Sequence, residues 1–550
     1  MRCAMFFFAS SALWVTFTAP AVAQDALDRT DPGLIEEQFE LRIPLDVRTD
    51  VPETVAEQER VAQVDAPDGV FVGAIHVASD VLPASQFVSV IEPYIGRTLS
   101  PQQLQDLTSA VADRLRAEGY VFATAWISEQ RLDTGMLRVS VDPGVISEIR
   151  YTAPPTEAVH AILQQLADGT PVREARLERK LMLAEDVPGI RIVGTRFFRE
   201  EGRGVLEVAI QRDRVAGWAR ISNEGSEAVG PWRMQGGVAI NSALTSGDRV
   251  RISASATPIE PGDFALVRLT YDVPLDDDGT TIRMSTYYAR SNPEDGAQLN
   301  DRDGDSFGAS ISVRRALVRS RRASLWGNVT LRYRQTMQDD LGVPIREDRI
   351  TTAELGLNGY VRVGSGHLSG GARLVQGLGI FGSSEEGDPL LSRFDGSGRF
   401  TKVELYGRWW QPIGAGFSVE LRGRGQLASR ALLASDEMGI GGPYYGRGYD
   451  YYERAGENGI AGSVELRHDI ADVSDAINNI QLYSFLDGAG VRNLGDGGGG
   501  GRLTSAGGGV RIRIADSIST GLEAGVPLNE DRFDSDDRSP RVRVTLGADF

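Results

Sequence analysis

The chain has 550 residues, with 76 Asp and Glu against 58 Lys and Arg and a formal net charge of -18, a balance that argues against nucleic acid as a partner. Glycine is abundant at 64 while histidine and cysteine number only 4 and 1, a composition that suits turns and strands better than a collagen-like or helical fold. Beyond the N-terminus no segment reaches the roughly 18 uninterrupted apolar residues of a membrane-spanning helix, which excludes a helical membrane bundle.

Arg2, the largely apolar stretch Met5 to Phe17 and the small-residue pattern Ala21-Val22-Ala23 predict a secretory signal peptide over residues 1–23, with the mature chain starting at Gln24. Cys3 leaves with it, so the mature protein is expected to carry no disulfide, thiolate metal or thiol nucleophile. Residues 24–68 are acidic and rich in Pro, Val and Ala. Their one apolar-periodic patch, Leu34, Ile35, Phe39 and Leu41, predicts a short helix followed by a linker.

From residue 69 the pattern reads β, α, α, β, β and then repeats. In the first unit, 69–143, a strand at Val70–Ile75 precedes helices at Gln86–Ile91 and Pro101–Glu118, the second with Leu104, Leu107, Val111 and Leu115 on one face and Pro at its start. Strands at Tyr120–Ile127 and Met136–Val141 follow, and Asp142-Pro143-Gly144 makes the closing turn. The second unit, 144–213, has a strand around Ile146 and Ile149, helices near Thr156–Leu166 and Glu174–Ala184, and strands at Ile190–Val193 and Val205–Ile210.

Helical periodicity disappears after residue 214. In the C-terminal segment Val542, Val544, Leu546, Ala548 and Phe550 share one face, with Arg541, Arg543, Thr545, Gly547 and Asp549 on the other. The same alternation recurs at Val250 and Ile252 against Arg249 and Arg251, and at Val510 and Ile512 against Arg511 and Arg513. About sixteen such segments run from 214 to 550, with short connections near 246–247, 319–322, 364–366, 412–416 and 515–516 alternating with long ones near 291–305, 336–349, 379–398, 429–458, 491–501 and 526–539. A sandwich also alternates, but short turns at one end and long polar loops at the other are the pattern of an outer-membrane barrel. A spanning sheet must close on itself, because hydrocarbon offers no partner for backbone N–H and C=O groups. The expected fold is therefore α+β modules followed by a 16-stranded antiparallel transmembrane β-barrel.

Two segments of the barrel stand out. The 429–458 loop contains Gly446-Arg447-Gly448-Tyr449-Asp450, and a later strand contains Phe485-Leu486-Asp487-Gly488-Ala489-Gly490. Glycines let a loop bend back into a lumen, and an arginine there needs an anionic partner, for which an inward Asp487 could form a charge-assisted bidentate bond. The residues alone equally allow Arg447 to sit in a solvated loop and Asp487 to be one of many lumen acids.

The loop resembles the VRGY/F motif of the sixth extracellular loop in the TpsB family, the outer-membrane transporters of two-partner secretion (ShlB/FhaC/HecB-type haemolysin secretion/activation proteins), and Phe485-Leu486-Asp487 resembles the family's F-x-D-x-G strand motif. The resemblance implies that Arg447, Gly448 and Tyr449 form one half of a lock in the lumen, with Phe485 and Asp487 as the other. This chain has Gly446 where the family usually has Val, and Ala489 where the motif has Gly. The two repeated units resemble POTRA domains, and terminal Phe550 fits the family's outer-membrane insertion signal. A plug helix within the N-terminal segment is a further feature of that family.

The resemblance implies an outer-membrane pore, its N-terminal units in the periplasm, that secretes a large partner exoprotein of the TpsA type. The exoprotein would arrive unfolded and be captured by strand addition to the POTRA units, without ATP. Outer-membrane lipid and, during biogenesis, the barrel-assembly machinery are the other expected partners. A barrel- or autotransporter-assembly factor is the competing reading. Catalysis is not expected, nor is a cofactor or metal: there is no G-x-S-x-G elbow and no Walker loop, and His76, His160, His367 and His468 are scattered.

Overall fold

The computed structural model describes residues 31–35, 54–56, 69–130, 135–258, 262–292, 302–495 and 497–550. The predicted signal peptide with Cys3, most of the 24–68 segment, and Phe39 and Leu41 lie outside the described residues.

The helix Pro101–Ala117 starts on a capping box in which Ser100 and Gln103 satisfy each other's backbone N–H, with Pro at its first position. Its predicted face is the buried one: Leu104, Leu107, Val111 and Leu115 pack on a three-stranded sheet of Ala74–Ala78, Met136–Asp142 and Thr124–Trp126. Each such leucine, taken fully out of water, contributes ~1.5–3 kcal/mol. The strand expected at Tyr120–Ile127 is shorter, Thr124–Trp126, because Tyr120 and Phe122 leave the alternation to fill two different cores.

In the second unit the helices Glu157–Gln164 and Glu174–Glu185 cover a sheet built from Glu148–Tyr151, Arg203–Arg212 and Ile190–Glu200. The last of these strands runs well past the expected Val193. Its outer edge is not bare: Val55–Ala56 pairs with it in parallel, opposite Arg196 and Phe197, and Thr54 Oγ1 lies 2.8 Å from Thr195 Oγ1. The two units interlock. Phe122 belongs to the second core and stacks on Phe197 with ring centroids 4.0 Å apart, while Arg199 reaches Asp142 at 2.7 Å and the Phe122 carbonyl at 3.1 Å.

The sixteen barrel strands, from Val215–Ser222 to Arg541–Asp549, close into one antiparallel ring with apolar residues outward and polar residues inward. At the seam Phe550 and Gly217 exchange both backbone hydrogen bonds, at 2.6 and 2.9 Å, and the Phe550 ring lies over the space a Gly217 side chain would need. Short and long connections alternate as expected, with one correction. The segment read as a loop at 336–349 is mostly strand: Ala323–Asp340 and Val343–Val363 continue to a tight turn at Leu341-Gly342, both with positive φ. Opposite the lumen, Gly359, Gly370, Gly407, Gly423, Gly462 and Gly488 face each other in register across six neighbouring strands. Exposed Leu357, Leu368, Leu405, Leu421, Val464 and Leu486, each two residues away, mark this row as lipid-facing.

The second unit is fastened to the short-turn end of the barrel. Arg319 holds Asp186 at 2.7 Å, Lys180 Nζ reaches Asp278 Oδ1 at 2.9 Å, and the Arg321 N–H donates to Glu178 Oε1 at 2.8 Å. Ala316, Trp326 and Tyr360 of the barrel rim join the unit's apolar core.

Candidate functional site in the barrel lumen

Alternation along Ile477–Arg492 turns Phe485, Asp487 and Ala489 inward, and the neighbouring strands present Ser463, Glu465 and Glu523 to the same space. The 429–457 loop folds back into that space. Gly446 has φ +82, a left-handed conformation that a β-branched residue resists, so this chain's departure from Val is required by the path of its own loop. Gly448 passes against a strand with no room for a side chain, since a Cβ would come within 2.6 Å of the Pro527 nitrogen. Ala489 is absorbed without disturbance, packed beside Tyr449, Val491 and Leu503.

Arg447 is 2% exposed and Asp487 1%. The guanidinium donates from Nε to Asp487 Oδ2 at 3.0 Å and from Nη2 to Oδ1 at 2.9 Å, the bidentate geometry that makes an arginine–carboxylate pair strong. The Arg447 backbone N–H donates to the same carboxylate at 3.0 Å. Nη1 donates to Glu465 at 2.8 Å and reaches Glu523 at 3.3 Å, Nη2 donates to Ser463 Oγ at 2.9 Å, and the Phe485 ring lies 3.5 Å from the guanidinium carbon. One cation is thus met by three carboxylates, and Arg467 and Arg511 on Glu465, with Arg543 on Glu523, share the excess negative charge. Arg543 also donates to the backbone carbonyls of Arg447 and Tyr449.

Tyr449 is fully buried, with its hydroxyl 2.8 Å from Asn529 Oδ1 and 3.2 Å from the Thr504 carbonyl. The next residue, Asp450, receives Arg541 at 3.0 Å and the Glu227 N–H at 3.1 Å, which ties the loop to the connection between the strands Val215–Ser222 and Arg233–Asn241. Of the five expected motif residues, Arg447 meets Phe485 and Asp487, while Gly448 lies against Val526 and Pro527 and Tyr449 against Thr504 and Asn529. Glu465, Glu523, Ser463 and Arg543 were not singled out in the sequence. Their signal was only the inward parity of their strands, visible as Val464-Glu465-Leu466-Arg467 and in the C-terminal alternation.

The N-terminal patch is drawn into the same lumen. Residues 32–35 are helical and buried, Leu34 packs against Tyr451, Tyr452 and Ala455, and the Tyr451 hydroxyl donates to the Leu34 carbonyl at 3.1 Å. Ile35 joins Phe264, Leu266, Tyr287 and Ala289 on the opposite wall.

The model of the haemolysin secretion/activation protein family ShlB/FhaC/HecB matches residues 205–512, more than half of the chain, and the ShlB-type POTRA model matches residues 72–144. The outer membrane transporter CdiB-2 of Burkholderia pseudomallei is 25% identical over 76% of this chain and 74% of its own length. The haem/hemopexin transporter protein HuxB of Haemophilus influenzae is 18% identical over 71% of this chain and 70% of its own. The solved structure of CdiB from Escherichia coli shares the fold with a TM-score of 0.73 at 17% identity, covering 96% of this chain and all of that one. The barrel stands in the outer membrane with its α/β units in the periplasm, and the chain belongs to the haemolysin secretion/activation protein family ShlB/FhaC/HecB, the outer-membrane transporters of two-partner secretion.

Proposed function

We propose that this transporter exports one large exoprotein, captured unfolded in the periplasm by strand addition to the POTRA units, and that the 429–457 loop with residues 31–35 keeps the lumen occupied between transport events. The observation that carries the reading is the buried Arg447–Asp487 pair, because it fixes a long loop inside the barrel through Arg447, which does not belong to the sheet that holds the barrel together. Sheet edges support capture: Thr124–Trp126 and Ala74–Ala78 border the first unit's three-stranded sheet, and Glu148–Tyr151 borders the second's. The free energy of export comes from folding of the cargo outside the cell. Arg447, Gly448, Tyr449, Phe485 and Asp487 act as the lock, and Phe550 acts as the insertion signal. No step of this reading calls for catalysis.

The test compares proteins in the medium of cells with and without the gene. Loss of one large protein is expected. Loss of several outer-membrane proteins instead would assign the chain to barrel assembly.

A further inference from the structure

Outward positions of the barrel are mainly apolar, and at the long-loop end the outward Arg290 is neutralised by Asp303 at 2.9 Å. The strands Ile477–Arg492 and Gly501–Ile514 break that rule. Val491 and Leu503 are buried beside Tyr449 inside, so parity turns Arg492 and Arg502 outward, and both are exposed. Gly490 stands opposite Arg502, which makes the two arginines diagonal neighbours within reach of one shared ligand. Neither guanidinium makes a hydrogen bond or an ion pair among the described residues, and Glu530 and Asp531 of the adjoining loop are held by Arg454 and Arg538. A spanning strand needs about 9–11 residues. Counted from the facing pair Ile480 and Ile512 near the short turns, both arginines therefore stand at the far border of the apolar layer, on the cell-surface side. Just below them the surface is hollowed. Ile460, Gly462, Gly488, Gly490 and Arg502 line a cleft of about 410 Å³, and a Cβ at Gly488 would meet nothing within 4 Å. Exposed Val464 and Leu486, which face each other, continue the apolar floor toward the middle of the membrane.

We infer that this is a lipid site: Arg492 and Arg502 grip a phosphate of lipopolysaccharide, the glycolipid of the outer leaflet, and one of its acyl chains lies in the glycine cleft. Guanidinium presents paired N–H donors that match phosphate oxygens, and two of them side by side match the charge of a phosphate monoester. Arginine facing lipid is tolerated at the border of the apolar layer because its head reaches the polar headgroups there. Position selects the source. Phospholipid headgroups line the periplasmic border, at the other end of these strands, whereas the phosphorylated sugars of lipopolysaccharide lie at the border that the arginines reach. Where glycines replace side chains, an acyl chain can settle against the backbone itself and gain contacts that a flat lipid-facing wall does not offer. The same strand carries Phe485 and Asp487 on its inner face, so the lipid lies back to back with the partners of Arg447.

The test is native mass spectrometry of the full-length protein in detergent, titrated with diphosphorylated lipid A, with the same lipid stripped of its phosphates, or with phosphatidylglycerol. One diphosphorylated lipid A per chain is expected to stay bound under collisional activation that removes the other two lipids. The variant carrying Arg492→Gln and Arg502→Gln should bind it at least about tenfold more weakly, since it loses hydrogen bonds to a charged group. Gly488→Leu, which fills the cleft and leaves both arginines in place, should also weaken it. Both changes lie on the outside of the ring of strands, and heat-modifiable migration checks that the barrel is intact. If the Gln variant does not insert, Gly488→Leu and the comparison of the three lipids on the unchanged protein decide. No adduct, equal binding of phosphatidylglycerol or of the phosphate-free lipid, or undiminished binding by either variant overturns the inference. Binding is read without any exoprotein, so this outcome is distinct from failure of the secretion reading.

Discussion

Asp487 holds Arg447 by its main chain and its side chain at once, with backbone N, Nε and Nη2 all directed to one carboxylate. The loop is therefore fixed in position and orientation at a single residue. Arg447→Ala should leave the barrel inserted and heat-modifiable but cut secretion at least severalfold. Breaking a buried pair from one side costs about 3–5 kcal/mol, and here the cost falls on the loop, because the ring of strand hydrogen bonds does not include Arg447. A variant absent from the outer membrane would overturn this.

The pair is not isolated, which separates its two halves. Removing Arg447 takes from Asp487 its cation, while Glu465 keeps Arg467 and Arg511 and Glu523 keeps Arg543, whereas Asp487→Asn leaves Arg447 its bonds to Glu465 and Ser463. Asp487→Asn should therefore be milder than Arg447→Ala, and a double-mutant cycle on loop position should give a coupling of about 0.5–3 kcal/mol. Arg447→Lys keeps the charge and the backbone bond but loses the fork, and should fall between them.

Docking of the second unit should weaken in acid. The hydrogen bond from Lys180, and then its charge, hold the Asp278 carboxyl below its ordinary value. A depressed carboxyl contributes while it is ionised, so its contribution is complete above about pH 4 and is lost as pH falls below that range. Fluorescence energy transfer between labels on the Glu174–Glu185 helix and a barrel turn should drop on acidification. In Lys180→Met it should already be lower at pH 7, with a smaller further change.

Deleting residues 69–143 should abolish exoprotein binding and leave a conducting, heat-modifiable barrel. It also removes Phe122 from its stack on Phe197, so the second unit loses about 3–5 kcal/mol of its own core. Phe122→Ala in the full chain supplies the control: if it alone abolishes binding, capture depends on the second unit rather than on the first.

The barrel was legible because lipid outside and water inside impose a period of two on every strand, and Val542 to Phe550 obey it residue by residue. The rule stops where the lipid does. Near Leu341-Gly342 both strand faces meet water, polar residues such as Asp339, Asp340, Arg346 and Glu347 fall on either side, and a hairpin reads as a loop. The lock motif was readable as short local strings. Glu465, Glu523 and Arg543 were not, since their meeting with Arg447 depends on cross-strand register, which no single segment contains.

The glycine row from Gly359 to Gly488 gives the barrel a crease. Flattening a convex sheet drives its outer side chains together, and along this diagonal there are none to collide. A Cβ at Gly488 would meet nothing within 4 Å, and at Gly423 and Gly462 only ordinary contacts, while at Gly359 and Gly370 it would strike a backbone carbonyl, at 2.3 and 2.5 Å. The cross-section can therefore turn from round to oval about this line at little steric cost. Such a change alters the width of the lumen beside the 429–457 loop without breaking a single rung of the ladder.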